Sequence, residues 1–242
     1  MKPPPKQARG AATRARLLDV AGTLLAEVGV DRISTNMIAA RAGLSPPALY
    51  RYFSDKYAVI EALGHRLMAR QNAVLDAWVA RHAPAGIAAM ADHVADLLAE
   101  TAAVTRAEPG AVWILRALHA APALVHVRLE SHRRVTDRLV AACAPHLPAV
   151  EPDRLWRRLR IAVELGFAAD EMLGEEERLS ADAVLADVAA MLGAAMRDLA
   201  PLPLAGGGHW VNQSPAGSGR AGGTTDPMPG GQKRPDLPPR CD

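Results

Sequence analysis

Polar and aromatic residues that suit contacts with a nucleic acid cluster in the segment TNMIAARAGLSPPALYRYFSDK, residues 35–56. Hydroxyl and ammonium groups contact phosphate oxygens without reading bases, whereas Asn36 and Arg51 are of the types that read adenine or guanine in the major groove. Small residues at the start of a helix can approach a thymine methyl group closely. We therefore predict double-stranded DNA as the partner, contacted by Thr35, Asn36, Ser45, Pro46, Pro47, Ala48, Tyr50, Arg51, Tyr52 and Lys56.

A short helix must present these side chains, and two adjacent prolines mark its beginning. Proline is tolerated in a helix only at the first turn, so either Pro46 or Pro47 is the first helical residue. Ser45 is expected to cap it through its hydroxyl group. Ser54 and Asp55 supply the next capping signal, which limits the helix to about seven residues.

Two helices precede this one, and a longer helix follows it. Apolar residues from Leu17 to Val28 form a core-facing stripe that ends at Gly29. Ser34 is expected to cap a second helix that stops at Gly43. Leu49 and Phe53 face inward, one of Tyr50 and Tyr52 can do the same, and Lys56 opens a fourth helix. A helix, an AGLS turn and a second helix are typical of a helix-turn-helix DNA reader.

The charge distribution favours a polyanionic partner at the N-terminal end. Residues 1–70 carry eleven Lys and Arg but five Asp and Glu, whereas residues 71–200 carry an excess of five acidic residues. A basic third on an acidic body is the expected footprint of a nucleic-acid partner.

Composition predicts an all-α protein. Beyond residue 70, helical segments are expected near 71–82, 85–104, 109–120, 122–144, 152–173 and 180–200, separated at prolines and at Gly174. Residues 1–10 are interpreted as a disordered basic arm, and the Gly/Pro-rich residues 205–242 as a disordered tail. We expect the tail to be dispensable for DNA binding.

Several classes of protein are disfavoured by what the sequence lacks. It contains no apolar run long enough to span a bilayer and no secretory signal, so we expect a cytoplasmic protein. Its two cysteines show no metal-type spacing, and His119, His126 and His132 do not repeat at i, i+4, so neither a metal site nor a cofactor is predicted. None of the common catalytic motifs is present, so an enzyme is not expected.

The N-terminal motifs resemble those of the tetracycline-repressor (TetR) family. The family pattern is a hydrophobic helix ending in glycine, then T-x-x-x-I-A-x-x-A-G-[LV]-S, then L-Y-x-[YH]-F-x-x-K. The matching residues here are Thr35, Ile38, Ala39, Ala42, Gly43, Leu44, Ser45, Leu49, Tyr50, Tyr52, Phe53 and Lys56. The match covers about residues 11–67, a quarter of the chain. Pro47 stands where many members have a small residue, and Tyr57-Ala58 replaces a common acidic pair, which leaves the operator sequence open.

The resemblance implies a three-helix helix-turn-helix domain, placed at 11–56, and a C-terminal helical domain for ligand binding and dimerisation, placed at 57–204. It implies a homodimer formed by the helices near 152–173 and 180–200, which reads a palindromic operator. Apolar residues of these helices are Leu155, Leu159, Val163, Phe167, Val184, Leu185, Val188, Met191, Leu192 and Met196.

A small-molecule effector of unknown identity is also implied. The fourth helix, 56–70, is then expected to transmit the effect of the ligand from the pocket to the DNA-binding helices. Candidate pocket residues are the sparse bulky or polar ones on Ala- and Leu-rich helices: Trp78, Met90, His93, Trp113, Arg116 and His119. The resulting prediction is a repressor that its ligand releases from DNA. The alternatives are a ligand-independent activator or architectural protein and, less favoured, a helical enzyme.

Overall fold

The computed structural model describes residues 6–176 and 178–199, and within these residues it contains helices and no strand. The α-helices of the described residues are α1 Lys6–Arg32, α2 Thr35–Arg41, α3 Pro46–Tyr50, α4 Lys56–His82, α5 Ile87–Asp92, α6 Val94–Ala107, α7 Ala111–Ala120, α8 Val125–Cys143, α9 Pro152–Glu175 and α10 Ala181–Arg197. This confirms the all-α prediction. The expected tail, 205–242, and the first five residues of the expected arm lie outside the described residues.

Helix α1 differs from the prediction at both ends. It begins at Lys6, so the prediction of disorder is wrong for residues 6–10. Most of the residues that follow the last N-terminal proline here are good helix formers. The Thr13 hydroxyl group donates to the Arg9 carbonyl oxygen at 2.9 Å within this segment. At the other end, Gly29 has the positive φ of 74° expected of it, yet a helical turn continues to Arg32 beyond the kink.

The predicted helix caps are confirmed at two of three positions. The Ser34 hydroxyl group accepts a hydrogen bond from the backbone N–H of Met37 at 3.2 Å, and the Asp55 carboxylate accepts one from Ala58 at 2.9 Å. Ser45 occupies the capping position of α3 but its side chain makes no capping bond, so that prediction is wrong. Prolines remove the first two N–H donors, and the third, on Ala48, donates to the Ser45 backbone carbonyl at 2.9 Å.

Two clusters of buried residues form the core, and α4 contributes to both of them. The first cluster joins α1, α2 and α3 to the first half of α4, to α7 and to the start of α8. The second joins the later part of α4 to α5, α6, α8, α9 and α10. The segments expected at 56–70 and 71–82 are one continuous helix, because no proline or glycine break separates them. The boundary placed at residue 56 therefore divides the sequence but not the core.

The helix expected at 85–104 is interrupted. Residues Ala83–Ala85 form a 3₁₀ turn, Gly86 adopts a φ of 92°, and α5 gives way to α6 at His93, whose φ of −110° and ψ of 16° are not helical. Other predicted breaks, at Pro109, Pro122 and Pro145, coincide with helix boundaries. Among the described residues, no single helix has the length and apolar character to cross a membrane, although Ala111–Ala120 and Pro122–His146 meet those criteria together as a pair bent by 101°.

Candidate DNA-reading face and ligand cavity

Helix α3 is held by one buried residue and turns the rest of its surface outward. Leu49 is fully buried in the first core cluster, and Phe53, one turn later, is buried beside it. Pro46, Pro47 and Arg51 are exposed, and Ala48 is half-buried. A helix of five residues buries too little surface to be stable alone, so its role is to present side chains from a packed support.

Helices α2 and α3 share one continuous polar surface, which we call the reading face and which includes Thr35, Asn36, Tyr50 and Arg51. The Thr35 hydroxyl group of α2 lies 3.1 Å from the Tyr50 hydroxyl group of α3, so the two form a hydrogen bond in which either can donate. Asn36 is exposed next to Thr35, and Tyr50 is 51 % exposed. The structure therefore brings together residues 15 positions apart that were proposed as DNA contacts from residue type alone.

Two other proposed contacts are held closer to the protein. The Lys56 ammonium group donates to the Val30 carbonyl oxygen at 3.0 Å and lies 5.5 Å from the centre of the Tyr57 ring. Tyr52 is half-buried and packs against the first core cluster, so it is the tyrosine that faces the core. An ammonium group has three donors, so Lys56 can still reach a phosphate while it tethers the end of α1.

Sequence reasoning missed three arginines that brace the reading face. Arg16 donates to the Ala42 carbonyl oxygen at the end of α2 at 2.8 Å, and Arg14 lies 5.2 Å above the Phe53 ring. Arg41 makes two hydrogen bonds, of 3.1 and 2.9 Å, to the Glu27 carboxylate, which lower the pKa of that carboxyl group. No local pattern could have revealed these contacts, because each joins residues at least 14 positions apart.

The C-terminal part of the structure contains an apolar cavity of about 150 Å³ between α4, α6, α8, α9 and α10, and this cavity is partly open to solvent. Most of its wall consists of aliphatic side chains and Phe167. Four polar residues also line it, namely Gln71, Thr101, Arg158 and Asp170.

Gln71, which lines this cavity, has a buried hydrogen-bond acceptor without a partner among the described residues. Its amide group donates to the Thr105 hydroxyl oxygen at 2.9 Å, and the Thr105 hydroxyl group in turn donates to the Thr101 carbonyl oxygen at 3.0 Å. Because the hydroxyl proton is already used, Gln71 must turn its NH₂ group toward Thr105. Its Oε1 atom is buried and has no partner in the described residues, which is unfavourable in a protein interior unless a bound molecule supplies a donor.

Asp170 is the second polar group of interest in the wall. Burial raises the pKa of its carboxyl group above the ordinary value of 3.8, and the charge of Arg106 opposes this only in part. A carboxyl group in such a site is more readily protonated and can then donate as well as accept.

The predicted pocket residues do not form a single site. Trp78 lines the apolar cavity and donates from its indole nitrogen to the His93 carbonyl oxygen at 2.7 Å. Met90 is fully buried in the second core cluster, and the His93 side chain is exposed, so neither lines the cavity. The half-buried Trp113 and Arg116 line a different cavity, and His119 lies beside a small void next to it. Bulk and polarity along the sequence do not reveal which side of a helix faces a gap, so they could not place these six residues around one cavity.

The cavity lined by Trp113 and Arg116 is larger, about 470 Å³, but its wall is much more charged. Its charged side chains are Arg106, Glu108, Arg116, Asp170, Glu171 and Glu175. Organic ligands are usually held by mainly apolar walls with a few polar groups, so the smaller cavity is the better candidate.

An ionic junction connects α1, α4 and the connection between α6 and α7. The Glu108 carboxylate, whose side chain is 1 % exposed, accepts hydrogen bonds from Arg66 and from Arg70, the latter at 2.6 Å. Arg66 also binds Asp19 of α1 at 2.6 Å. The backbones are in close contact here, since a Cβ atom added to Gly22 of α1 would lie 3.1 Å from the Pro109 carbonyl oxygen. This junction ties the reading face to the helices that enclose the cavities.

Exposed apolar side chains lie along α9 and α10, and Met191 is the one residue among them that was named from the sequence. Leu155, Leu159 and Val163 of α9 are buried in the second core cluster, and Val188 of α10 is also buried. The exposed apolar residues of these two helices include Ile161, Leu165, Met172 and Met191, at 56, 54, 41 and 61 %. On α9 their spacing of four and seven residues places them on one side of the helix, opposite the face that meets the core.

Comparison with known proteins assigns the N-terminal region. The sequence model described as bacterial regulatory proteins, tetR family, matches residues 17–63. The tetracycline repressor protein class A from transposon 1721 of Escherichia coli is 43 % identical over 49 residues, which are 20 % of this chain and 23 % of that repressor. The chain thus spans about a quarter of the length of the curated relatives it matches.

Solved structures share the fold over a much greater length. FadR of Thermus thermophilus, a TetR-family repressor in complex with lauroyl-CoA, superposes with a TM-score of 0.56 at 18 % identity, covering 80 % of this chain and all of that one. RolR, in complex with resorcinol, superposes with a TM-score of 0.52 at 19 % identity, covering 83 % of this chain and 99 % of that one. Residues 17–63 therefore carry the N-terminal sequence pattern of the TetR family of bacterial regulatory proteins, and the described helices share the fold of these solved structures.

Proposed function

We propose that this protein is a cytoplasmic, sequence-specific DNA-binding repressor, and that a small, mainly apolar molecule releases it from its operator. The observation that carries the first part is the polar surface of α2 and α3. It joins Thr35 to Tyr50 across the two helices, exposes Asn36 and Arg51, and rests on the buried Leu49. Such a surface can place several side chains at phosphates and base edges at once.

The operator is proposed to be palindromic, because the exposed apolar stripe on α9 and α10 favours a homodimer. Ile161, Leu165 and Met191 are each more than half exposed. A two-fold interface presents the same patch from both chains, so one stripe supplies both sides of it. Two reading helices one turn of DNA apart then bind a site that one short helix binds too weakly.

The proposed effector carries a hydroxyl or amino group on a compact apolar frame. A cavity of about 150 Å³ is comparable to one that holds benzene in another protein. The buried Oε1 atom of Gln71 has no partner among the described residues, and we assign its missing donor to the ligand, which would reach it after a rotation of the amide side chain. Two proteins of this fold illustrate the range of ligands, since RolR is bound to resorcinol and FadR to lauroyl-CoA. The cavity size favours a molecule nearer to the first.

The ligand is proposed to act through α4 and the ionic junction. Gln71 and Trp78 of α4 line the cavity, while Arg66 and Arg70 of the same helix bind Glu108. A ligand that shifts α4 therefore also changes the contact of Arg66 with Asp19 on α1. DNA affinity falls if the ligand prefers the conformation whose reading helices have the wrong separation.

The first test is selection of DNA from a random pool by the purified full-length protein, followed by titration of the enriched site against salt. A two-fold symmetric site whose affinity falls steeply with salt is expected. Failure to enrich any sequence would contradict DNA recognition. Resorcinol and phenol are then the first probes for release, and toluene is the comparison compound that lacks a hydrogen-bond donor. Operator affinity that is unchanged by resorcinol and by phenol would contradict the proposed effector class.

A further inference from the structure

Three side chains of metal-binding type converge on the surface between α4 and α8. Glu61 and His65 are four residues apart on α4, and His126 is in the first turn of α8. The Nε2 atom of His126 lies 3.2 Å from Glu61 Oε1, and the Nε2 atom of His65 lies 3.8 Å from that same oxygen. One potential ligand atom from each of the three residues lies within 4.8 Å of the other two.

These separations are close to those of ligands that share an ion, and a small rotation of the exposed side chains is enough to bring the three ligand atoms around one ion. Zinc binds imidazole nitrogen and carboxylate oxygen at about 2.0–2.2 Å, so neighbouring ligand atoms of a tetrahedral site lie about 3.3–3.6 Å apart. The two histidine rings are tilted by 59° with their centres 6.5 Å apart. Because the lone pair of an imidazole nitrogen lies in the ring plane, two planes that cross can direct their lone pairs at one point.

A second histidine cluster in the molecule lacks this property. His82 and His93 are stacked, with ring centres 4.2 Å apart and planes only 20° from parallel, and the Nδ1 atom of His93 lies 2.9 Å from Asp96. Nearly parallel planes do not meet at a coordination distance from both rings. This cluster is accounted for by stacking and an ion pair, and it provides a matched control.

We propose that Glu61, His65 and His126 form a binding site for a divalent transition-metal ion, with Zn²⁺ as the reference ion. Two imidazoles and one carboxylate suit zinc or nickel rather than magnesium or calcium, which prefer oxygen ligands. The side chains are 39, 50 and 55 % exposed, so an ion can enter and water can complete its coordination. The site resides in the single chain and does not depend on the proposed DNA binding.

The spacing of the histidines alone does not indicate this site, because one of its three ligands is a glutamate and the two histidines are on different helices. The informative spacing is the pair Glu61 and His65, at i, i+4 on one helix face. The third ligand, His126, is 65 residues from Glu61 and is supplied by the packing of α8 against α4. An ion bound here ties the end of α4 nearest to the reading face to the start of α8.

The test is calorimetric titration of the full-length, tag-free protein with ZnCl₂ after treatment with EDTA and dialysis. One ion per chain is expected, and H65A and H126A are each expected to weaken binding by more than about tenfold, as disturbed metal sites commonly do. H93A, in the stacked cluster, is expected to bind as the wild type does, and MgCl₂ is expected to give no saturable binding.

The proposal is overturned if the wild type shows no saturable zinc site, or if H65A and H126A bind zinc as tightly as H93A does. Both histidines are about half exposed, so their replacement is not expected to prevent folding. E61Q keeps the shape of the third ligand and removes its charge, and weaker zinc binding is expected from it as well. Since the assay contains no DNA, a negative result leaves the proposed repressor function untouched.

Discussion

The reading face and the apolar cavity place their chemistry in opposite ways. The reading face is an exposed surface on two short helices, and its polar groups lie within 22 residues of sequence. The cavity lies between five helices, and its polar groups extend from Gln71 to Asp170. Recognition of a large, charged partner requires an accessible surface, whereas recognition of a small apolar molecule requires that water be excluded. A short stretch of sequence can therefore specify the reading face, whereas the cavity wall needs residues from distant parts of the sequence.

The ionic junction between these two regions contains a deeply buried charge. Glu108 is almost inaccessible to solvent, whereas the arginines that it binds are 25 and 50 % exposed. A buried carboxylate is tolerated only when it is paired with a positive charge. The ion pairs of Glu108 with Arg66 and Arg70 therefore hold the α6–α7 connection against α4, and the pair of Arg66 with Asp19 holds α4 against α1. That arrangement is the physical link by which the cavity can influence the reading face.

The largest effect is expected from E108Q, which keeps the shape of the side chain and removes its charge. Arg66 and Arg70 lose their shared counter-ion, so the free energy of unfolding is expected to fall by about 3 kcal/mol. Urea denaturation measures the change. The control is E100Q, which breaks the exposed pair of Glu100 with Arg81 and is expected to change stability by less than about 1 kcal/mol. Equal effects of the two variants would show that the junction is no stronger than a surface ion pair.

The next largest effect is expected at the reading face. R51A or N36A is expected to reduce discrimination at one base pair per half-site by about 1–3 kcal/mol. The measurement is the affinity for a set of operators that differ at single positions, with R81A, at the far end of α4, as the control. Weakening by the same factor at every sequence would instead assign the residue to a phosphate contact.

A smaller effect, confined to ligand binding, is expected from Q71L. Its side chain keeps the approximate volume and removes the unpaired acceptor, so the preference of the cavity for phenol over toluene is expected to fall by about 1–2 kcal/mol. Calorimetry with both probes measures the difference, and operator binding without ligand is expected to stay unchanged. An unaltered phenol-to-toluene ratio would mean that Oε1 does not accept from the ligand.

The smallest effect concerns the pH dependence of stability at Asp170. Because burial raises its folded-state pKa above 3.8, the folded protein binds a proton that the unfolded chain has released between these two values. The contribution of Asp170 to stability is therefore greatest at low pH, falls through that window and remains low above it. D170N is expected to gain stability relative to the wild type at neutral pH but not below pH 3.8. Urea denaturation at both pH values, with the exposed D187N as control, tests this, and a gain independent of pH would contradict it.

Local signals were sufficient for most of the helical boundaries. Ser34 and Asp55 cap their helices, and the breaks at Pro109 and Pro122 occur where the sequence predicted them, because caps and prolines act on the backbone of their own neighbours. Ser45 shows where a local rule fails, since the prolines that begin α3 also remove a donor that the cap would have used. The side-chain cap predicted from the residue type of Ser45 is therefore wrong, because the next two residues remove the donors.

The predicted site residues show the same difference between features set by local sequence and features set by packing. Thr35 and Tyr50 were named together from residue type, and they meet at 3.1 Å. Of the six residues predicted for the pocket, Trp78 alone lines the apolar cavity. The unpaired acceptor on Gln71 could not be inferred from the sequence. It depends on the packing of α6 against α4, which places the Thr105 hydroxyl group beside the Gln71 amide group and directs the hydroxyl proton to the Thr101 carbonyl oxygen.

The amino-acid sequence by itself determined the helical class, the capped short helices and the polar residues of the reading face, because each depends on neighbours within one or two turns. Only the tertiary structure decided which side chains surround the cavity, which face of α9 remains exposed, and that Glu108 is shared by two arginines. The convergence of His126 on Glu61 and His65 belongs to the same group. Each of these features requires two distant helices at a particular rotation and height, and that relation is set by packing of the whole core.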